Sequence, residues 1–400
     1  MKKQQIGNVG LLDLSKASEK SIAHIEKIEN VGCVLYKREN AHLLSLLNIG
    51  NIGKSIELTK DYIFINDTIK MDKPYFDSIE TPLSLLVNGA VIVGQQVQAQ
   101  DIKGKLAGLI VNGKIYSPPH LIGLLNEALK EGSGSVEAYT EQPPRITNGK
   151  LVLTNSFLQS ITNAEKIIVN GLLTFDKSLS MEAFEEKVEG LEVKGLVRLY
   201  EHQEAYVYKK MAVTNTTIEV IPNDFEFVSK PLTLSSRSIR RFKMGKLYTK
   251  KPIFIDRKVT RDALSNAIKE VRSSSIIVCH EEVEDIVYET CDSLETEVLP
   301  YEHDYVFIEN DESWSNEQFQ AYDHPISIIV SGQLTIEDNV DPEVLKNKIE
   351  ALDVFGKVLV PTPKIKGFIQ PLLRVKEGQI EEVSNQEQAP AIANFGELSL

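Results

Sequence analysis

The sequence predicts an α/β fold, a right-handed parallel β/α solenoid built from five repeats of about 80 residues. Three observations predict it. A glycine-centred phrase recurs as Val87-Asn88-Gly89, Val169-Asn170-Gly171 and Val330-Ser331-Gly332. Each phrase has a second copy about 24 residues on: Val111-Asn112-Gly113, Val193-Lys194-Gly195 and Val354-Phe355-Gly356. Between them the apolar period alternates between strand and helix spacing.

The leading position of each repeat falls at Gly10, Gly89, Gly171, Lys251 and Gly332, at intervals of 79, 82, 80 and 81 residues. The fourth repeat has lost its glycine but keeps the surrounding pattern, because Leu247 to Ile255 overlays Ile167 to Phe175. These positions set units at about 5–83, 84–165, 166–246, 247–326 and 327–383, with a flexible tail over 384–400 that is rich in Asn, Gln, Ala and Glu. Within a unit, Val91 and Val93 or Leu334 and Ile336 alternate as in a strand. Helical spacing follows in Phe184, Val188, Leu191, in Leu264, Ile268, Val271 and in Leu345, Ile349, Leu352. Asp341-Pro342 opens one such helix, the Asp suited to capping and the Pro to the first helical position; Ser180 and Thr260 are placed to cap two others. Ser117-Pro118-Pro119-His120-Leu121 and Val360-Pro361-Thr362-Pro363 open a second helix in their units.

Short strands alternating with short helices imply right-handed crossovers and parallel strands. Turns of about 25–30 residues fall near the rung length of a leucine-rich repeat. From about Gly7 to Val383 the chain therefore resembles the leucine-rich-repeat-like β/α solenoid proteins of bacteria that carry no assigned function. The repeat consensus Leu-x-x-Leu-x-Leu-x-x-Asn is absent, so the resemblance is architectural and implies no activity.

Composition narrows the function classes. Apolar residues make up 42% and charged residues 25%, which excludes a disordered or collagen-like chain. The longest apolar runs, such as Ile326–Val330, are far shorter than a membrane span needs. No secretory leader is expected behind Met1-Lys2-Lys3, and Cys33, Cys279 and Cys291 are too few for a disulfide framework. A cytoplasmic location is expected. The net charge of −13 hides two blocks. Lys230 to Arg272 holds 13 Lys/Arg against 3 Asp/Glu, whereas Ser273 to Leu345 holds 19 Asp/Glu and no Lys or Arg.

Asn48 to Ser55 ends like a phosphate-binding loop, but Asn48 stands where glycine is required and the strand follows instead of preceding. Cys279, His280, Cys291 and His303 lack the short ligand spacing of zinc sites. No strained nucleophile elbow or His-Glu-x-x-His pattern occurs. The sequence therefore nominates no catalytic, cofactor or metal residue. It nominates an interaction surface: Arg237, Arg240, Arg241, Lys243, Lys246, Lys250 and Lys251, followed by Glu281, Glu282, Glu284 and Asp285. Duplex-wide nucleic-acid binding is disfavoured, because the acidic block would repel the polyanion that the basic block attracts. The expected role is a non-enzymatic scaffold or protein–protein interaction protein, steered by the two blocks. The alternatives are a self-assembling fibre or coat protein, and a polysaccharide-active enzyme using paired carboxylates.

Overall fold

The computed structural model describes residues 4–59, 62–129, 134–212, 216–291, 294–383 and 393–400. Local chemistry explains its elements. Met181–Lys187 is helical because Ser180 Oγ accepts the Ala183 amide at 3.2 Å, satisfying one orphan donor of the first turn. Thr260 caps Arg261–Ala267, and Asp341 caps Pro342–Lys348 with Pro342 in the first turn. Helices this short are not stable alone and persist by covering the core. Phe184, for example, is fully buried and meets Phe175 edge-on, with ring centroids 5.5 Å apart. Strand Val188–Tyr200 then turns Leu191, Val193, Val197 and Leu199 into the same core on alternate positions.

The expected single solenoid, and the leucine-rich-repeat resemblance with it, is overturned. Such a solenoid has one continuous curved sheet. Among the described residues this chain instead forms eight separate sheets of three or four parallel strands, linked by 13 short α-helices. Two physical features break the ladder. Pro143 and Pro144 separate Ser135–Ala138 from Arg145–Leu153, which lie in different sheets, and Pro222 directly follows Thr217–Ile221. Proline has no amide hydrogen to give a continuing ladder. In addition, strands Leu83–Val87, Ile276–His280 and Ile326–Val330 are buried along nearly their whole length. Burial on both faces requires cover on both. Leu11, Cys33 and Leu35 accordingly pack with Leu86 and Ile110 of another sheet.

The chain folds into two compact units, Met1–Val220 with Gln388–Leu400, and Ile221–Glu387. In the first, the glycine phrases stack in register: Gly149 pairs with Gly171, and Gly171 with Gly195. Both Gly171 and Gly195 have positive φ, +142° and +141°. A Cβ at Gly195 would lie 2.2 Å from the Gly171 carbonyl oxygen. No side chain fits. In the second unit, where Lys251 replaces the glycine, hydroxyls make the bend. The Lys251 amide donates to Thr249 Oγ1 at 2.9 Å, and the Thr249 hydroxyl donates to the Val228 carbonyl at 2.9 Å.

The sequence reading sets 384–400 apart as a tail. Residues 384–392 lie outside the described residues. Ala393–Ser399 is a strand paired in parallel with Gln4–Asp13, so it forms the edge of the N-terminal sheet. Phe395, Leu398 and Leu400 pack on that sheet's core, and Asn8 Nδ2 donates to Asn394 Oδ1 at 2.9 Å. Among the described residues no helix is long and apolar enough to cross a membrane.

Gly195→Ala should lower stability by about 1–3 kcal/mol in urea unfolding, since it joins a clash to a strained φ. Gly123→Ala is the control: nothing lies within 4 Å of its would-be Cβ, and it sits in helix Ile122–Ala128. That change should be neutral or stabilise by up to about 1 kcal/mol. Deleting residues 393–400 should lower the melting temperature and bare the edge of Gln4–Asp13, producing association visible by light scattering. Unchanged melting and monodispersity would show that the strand contributes nothing.

Candidate functional site

The nominated surface residues fall in three places on the second unit. Arg240 and Arg241 end the short 3-10 turn Ser238–Arg241, and Arg237 caps its start. Lys243 follows in the loop, and all four are exposed. Glu281 and Glu282 stand on the turn Glu281–Val283, and Glu284 and Asp285 begin helix Glu284–Thr290. Helix Arg261–Ala267 packs against both turns, so basic and acidic ends share one helical layer. Arg261 ties that helix to the acidic end: its guanidinium forks onto the Asp285 carboxylate at 2.7 and 2.6 Å and reaches the Glu282 carbonyl at 2.5 Å. The bond from Arg261 holds the Asp285 carboxyl down at about 2.

The other nominated lysines do not belong to that layer. Lys246, in strand Gly245–Thr249, pairs with Asp224 at 2.6 Å and Glu270 at 3.0 Å and lies over the Phe225 ring. Lys250 and Lys251 stand at the bend that follows. Two apolar side chains accompany the layer and were missed in the sequence. Met244 is 55% exposed and is, among the described residues, the one non-glycine with positive φ, at 52°. Tyr288, on helix Glu284–Thr290, is 45% exposed.

The remaining motifs resolve into structure. Asn48 to Ser55 lies mostly in the edge strand Ile49–Glu57, with no helix entered after Lys54. Cys279 is fully buried in strand Ile276–His280, and burial pushes its thiol up to about 12. His280 is committed on both ring nitrogens: Nδ1 accepts the Glu282 amide at 3.3 Å, and Nε2 meets the Glu302 carbonyl at 2.8 Å. Among the described residues no cluster of three or more His, Cys, Asp or Glu could hold a metal ion.

The first unit contains an arrangement that sequence reading did not find. Lys114, Glu137, Lys166 and Glu192 form a closed quartet of alternating charge. Lys114 Nζ lies 3.0 Å from Glu137 and 3.2 Å from Glu192; Lys166 Nζ lies 2.5 Å and 3.3 Å from the same two carboxylates. The Glu192 side chain is only 8% exposed. Burial pulls the Lys114 ammonium down, but its hydrogen bonds to Glu137 and Glu192 outweigh this and hold it above the ordinary lysine range. Burial likewise pushes Glu137 and Glu192 up, and the two ammoniums outweigh it, leaving both carboxyls below their ordinary range. Neither is therefore poised as a proton donor at neutral pH. Beside the quartet, Tyr116 is buried and its hydroxyl is raised to about 12 by that burial.

Two pockets flank the quartet. One, of about 330 Å³, is lined by Lys114, Tyr116 and Glu192 together with Asn88, Asn112 and Asn170. The other, of about 270 Å³, is lined by Tyr116, Tyr139, Glu137 and Lys166. With this geometry established, comparison with known proteins adds no relative: no protein family, curated protein or solved structure matches the chain.

Depressed carboxyl values carry a definite pH sign. The contribution of Glu137 and Glu192 is fully present above the unfolded glutamate value of about 4.3 and is lost as pH falls through their lower folded values. Glu192→Gln should cost about 1–3 kcal/mol at pH 7, because two ammoniums lose a partner. The gap between variant and native protein should shrink as pH falls from about 5 to 3. Thermal melts across that range check it; a pH-independent gap would remove the electrostatic account.

Proposed function

We propose that the protein works by binding another protein across the helical layer of its second unit, with no chemistry of its own required. The observation that carries this reading is the juxtaposition of an exposed basic turn, Arg237 to Lys243, with an exposed acidic turn, Glu281 to Asp285. Among the described residues, Arg240, Arg241 and Lys243 have no carboxylate within 4.0 Å, so their charge is available to a partner. Met244 and Tyr288 supply exposed apolar contacts of the kinds enriched in interfaces. The strained backbone at Met244 supports the same reading, since such strain concentrates at binding and switch segments. A partner with an acidic patch beside a basic one would be steered onto this face. The free, buried thiols of Cys33 and Cys279 suit a reducing compartment, and on this reading the protein works in the cytoplasm.

Both signs on one face also make it self-complementary under a two-fold axis, which favours a second copy as an alternative occupant. The experiment covers both. Native protein and an Arg240→Glu/Arg241→Glu variant are compared at low salt by sedimentation velocity and by capture from host lysate. A stoichiometric partner, or a dimer, should form with native protein, weaken at least about tenfold in the variant, and release at about 0.3 M salt. Identical capture and sedimentation of the two proteins would overturn the proposal.

A further inference from the structure

We infer that the polar pocket of the first unit is a binding site for a neutral saccharide, independent of the charged face on the second unit. The site is built from two rows of asparagines. Asn66, Asn88 and Asn112 occupy successive bends, and each side-chain amide bonds the one before: Asn88 Nδ2 to Asn66 Oδ1 at 2.8 Å, and Asn112 Nδ2 to Asn88 Oδ1 at 2.9 Å. The first member is anchored by a bond from Asn66 Nδ2 to Glu397 Oε2 at 3.2 Å, on the C-terminal strand. The second row is Asn148 and Asn170, joined at 2.9 Å, with Lys194 next in register. Both rows line the same pocket.

Three properties of this pocket select its ligand. A carboxamide offers two donors and two acceptor lone pairs, and the ladder bonds consume about one of each per residue. The remainder faces a space in which a hydroxyl, itself donor and acceptor, is the matching group. Because the ladder holds each amide in one orientation, little side-chain freedom is lost when a ligand arrives. Charge is the second property. Lys114 and Lys194 line the pocket against Asp67 and Glu192, a balance of zero that gives no net pull on a phosphate or nucleotide. Size is the third: about 330 Å³ sits at the lower end of small-ligand pockets, room for a mono- or disaccharide. Ile146, Ile168 and the buried Tyr116 supply the apolar part of the wall. Glu192, fixed between two ammoniums, orients Lys114 and is not positioned to donate a proton, so the site binds and does not hydrolyse.

The test is saturation-transfer NMR on the full chain with glucose, galactose, mannose, N-acetylglucosamine, maltose and cellobiose, with glucuronate and inorganic phosphate as charged probes. At least one neutral sugar should bind at millimolar concentration or better. Asn170→Ala should weaken it about tenfold, through the loss of amide bonds. Lys194→Leu, an exposed position outside the amide ladder, guards against a folding defect in the first variant and should weaken binding severalfold. Circular dichroism melts confirm that each variant is folded. The inference is overturned if no neutral sugar binds the native chain, if only phosphate or glucuronate binds, or if both folded variants bind as the native chain does.

Discussion

At the stacked glycines of the first unit the backbone passes so close to its neighbour that no side chain can stand between. A Cβ at Gly113 would sit 2.0 Å from the Gly89 carbonyl oxygen, and one at Gly171 would sit 2.1 Å from that of Gly149. This contact sets the register of every strand that passes through it, because a slip of one residue would drive a side chain into a carbonyl. Register in turn sets the asparagines. The residue before each glycine falls opposite its counterpart, as Asn148 does opposite Asn170, and the amides meet at bonding distance. Polar groove, amide row and core cluster all descend from that one steric rule.

Charge plays two different parts in the molecule. In the first unit, Lys114, Glu137, Lys166 and Glu192 are partly withdrawn from water, where Coulomb attraction is stronger but desolvation costs more. Their alternation resolves the conflict, since each carboxylate meets two ammoniums. In the second unit, Arg261 and Asp285 are 53% and 60% exposed. A pair so wet is screened by solvent and contributes little to stability, so its value lies in fixing the geometry of the layer more than in holding the fold. The buried Asp353, forked by Arg374 with bonds of 2.9 and 2.5 Å, is the structural counterpart there.

What the sequence makes legible follows the range of the interactions concerned. The caps at Ser180, Thr260 and Asp341 involve atoms within a few residues, and each was legible. The recurrence of the glycines was legible as a repeat. The eight-sheet arrangement was not foreseen, although two signs were present: the prolines at 143, 144 and 222, and the unbroken apolar runs Ile276–Cys279 and Ile328–Val330. An unbroken run denotes cover on both faces, whereas alternation denotes cover on one. The quartet gave no sign at all, since Lys114 and Glu192 are 78 positions apart and each reads alone as an ordinary surface residue. The strand at 393–399 is not legible in the sequence because Asn, Gly and Glu are poor strand formers, and its pairing with Gln4–Asp13 overrides that preference.

By itself the sequence determined the alternation of short strands and helices, the places where helices begin and the spacing at which the glycines recur. These depend on hydrogen bonds and sterics within one turn of chain. The tertiary structure alone decided that the strands divide into separate sheets, that the last strand joins the first, and that two lysines and two glutamates meet beside an amide-lined pocket. Those outcomes depend on which buried faces meet across long separations, and neither local periodicity nor residue type encodes that choice.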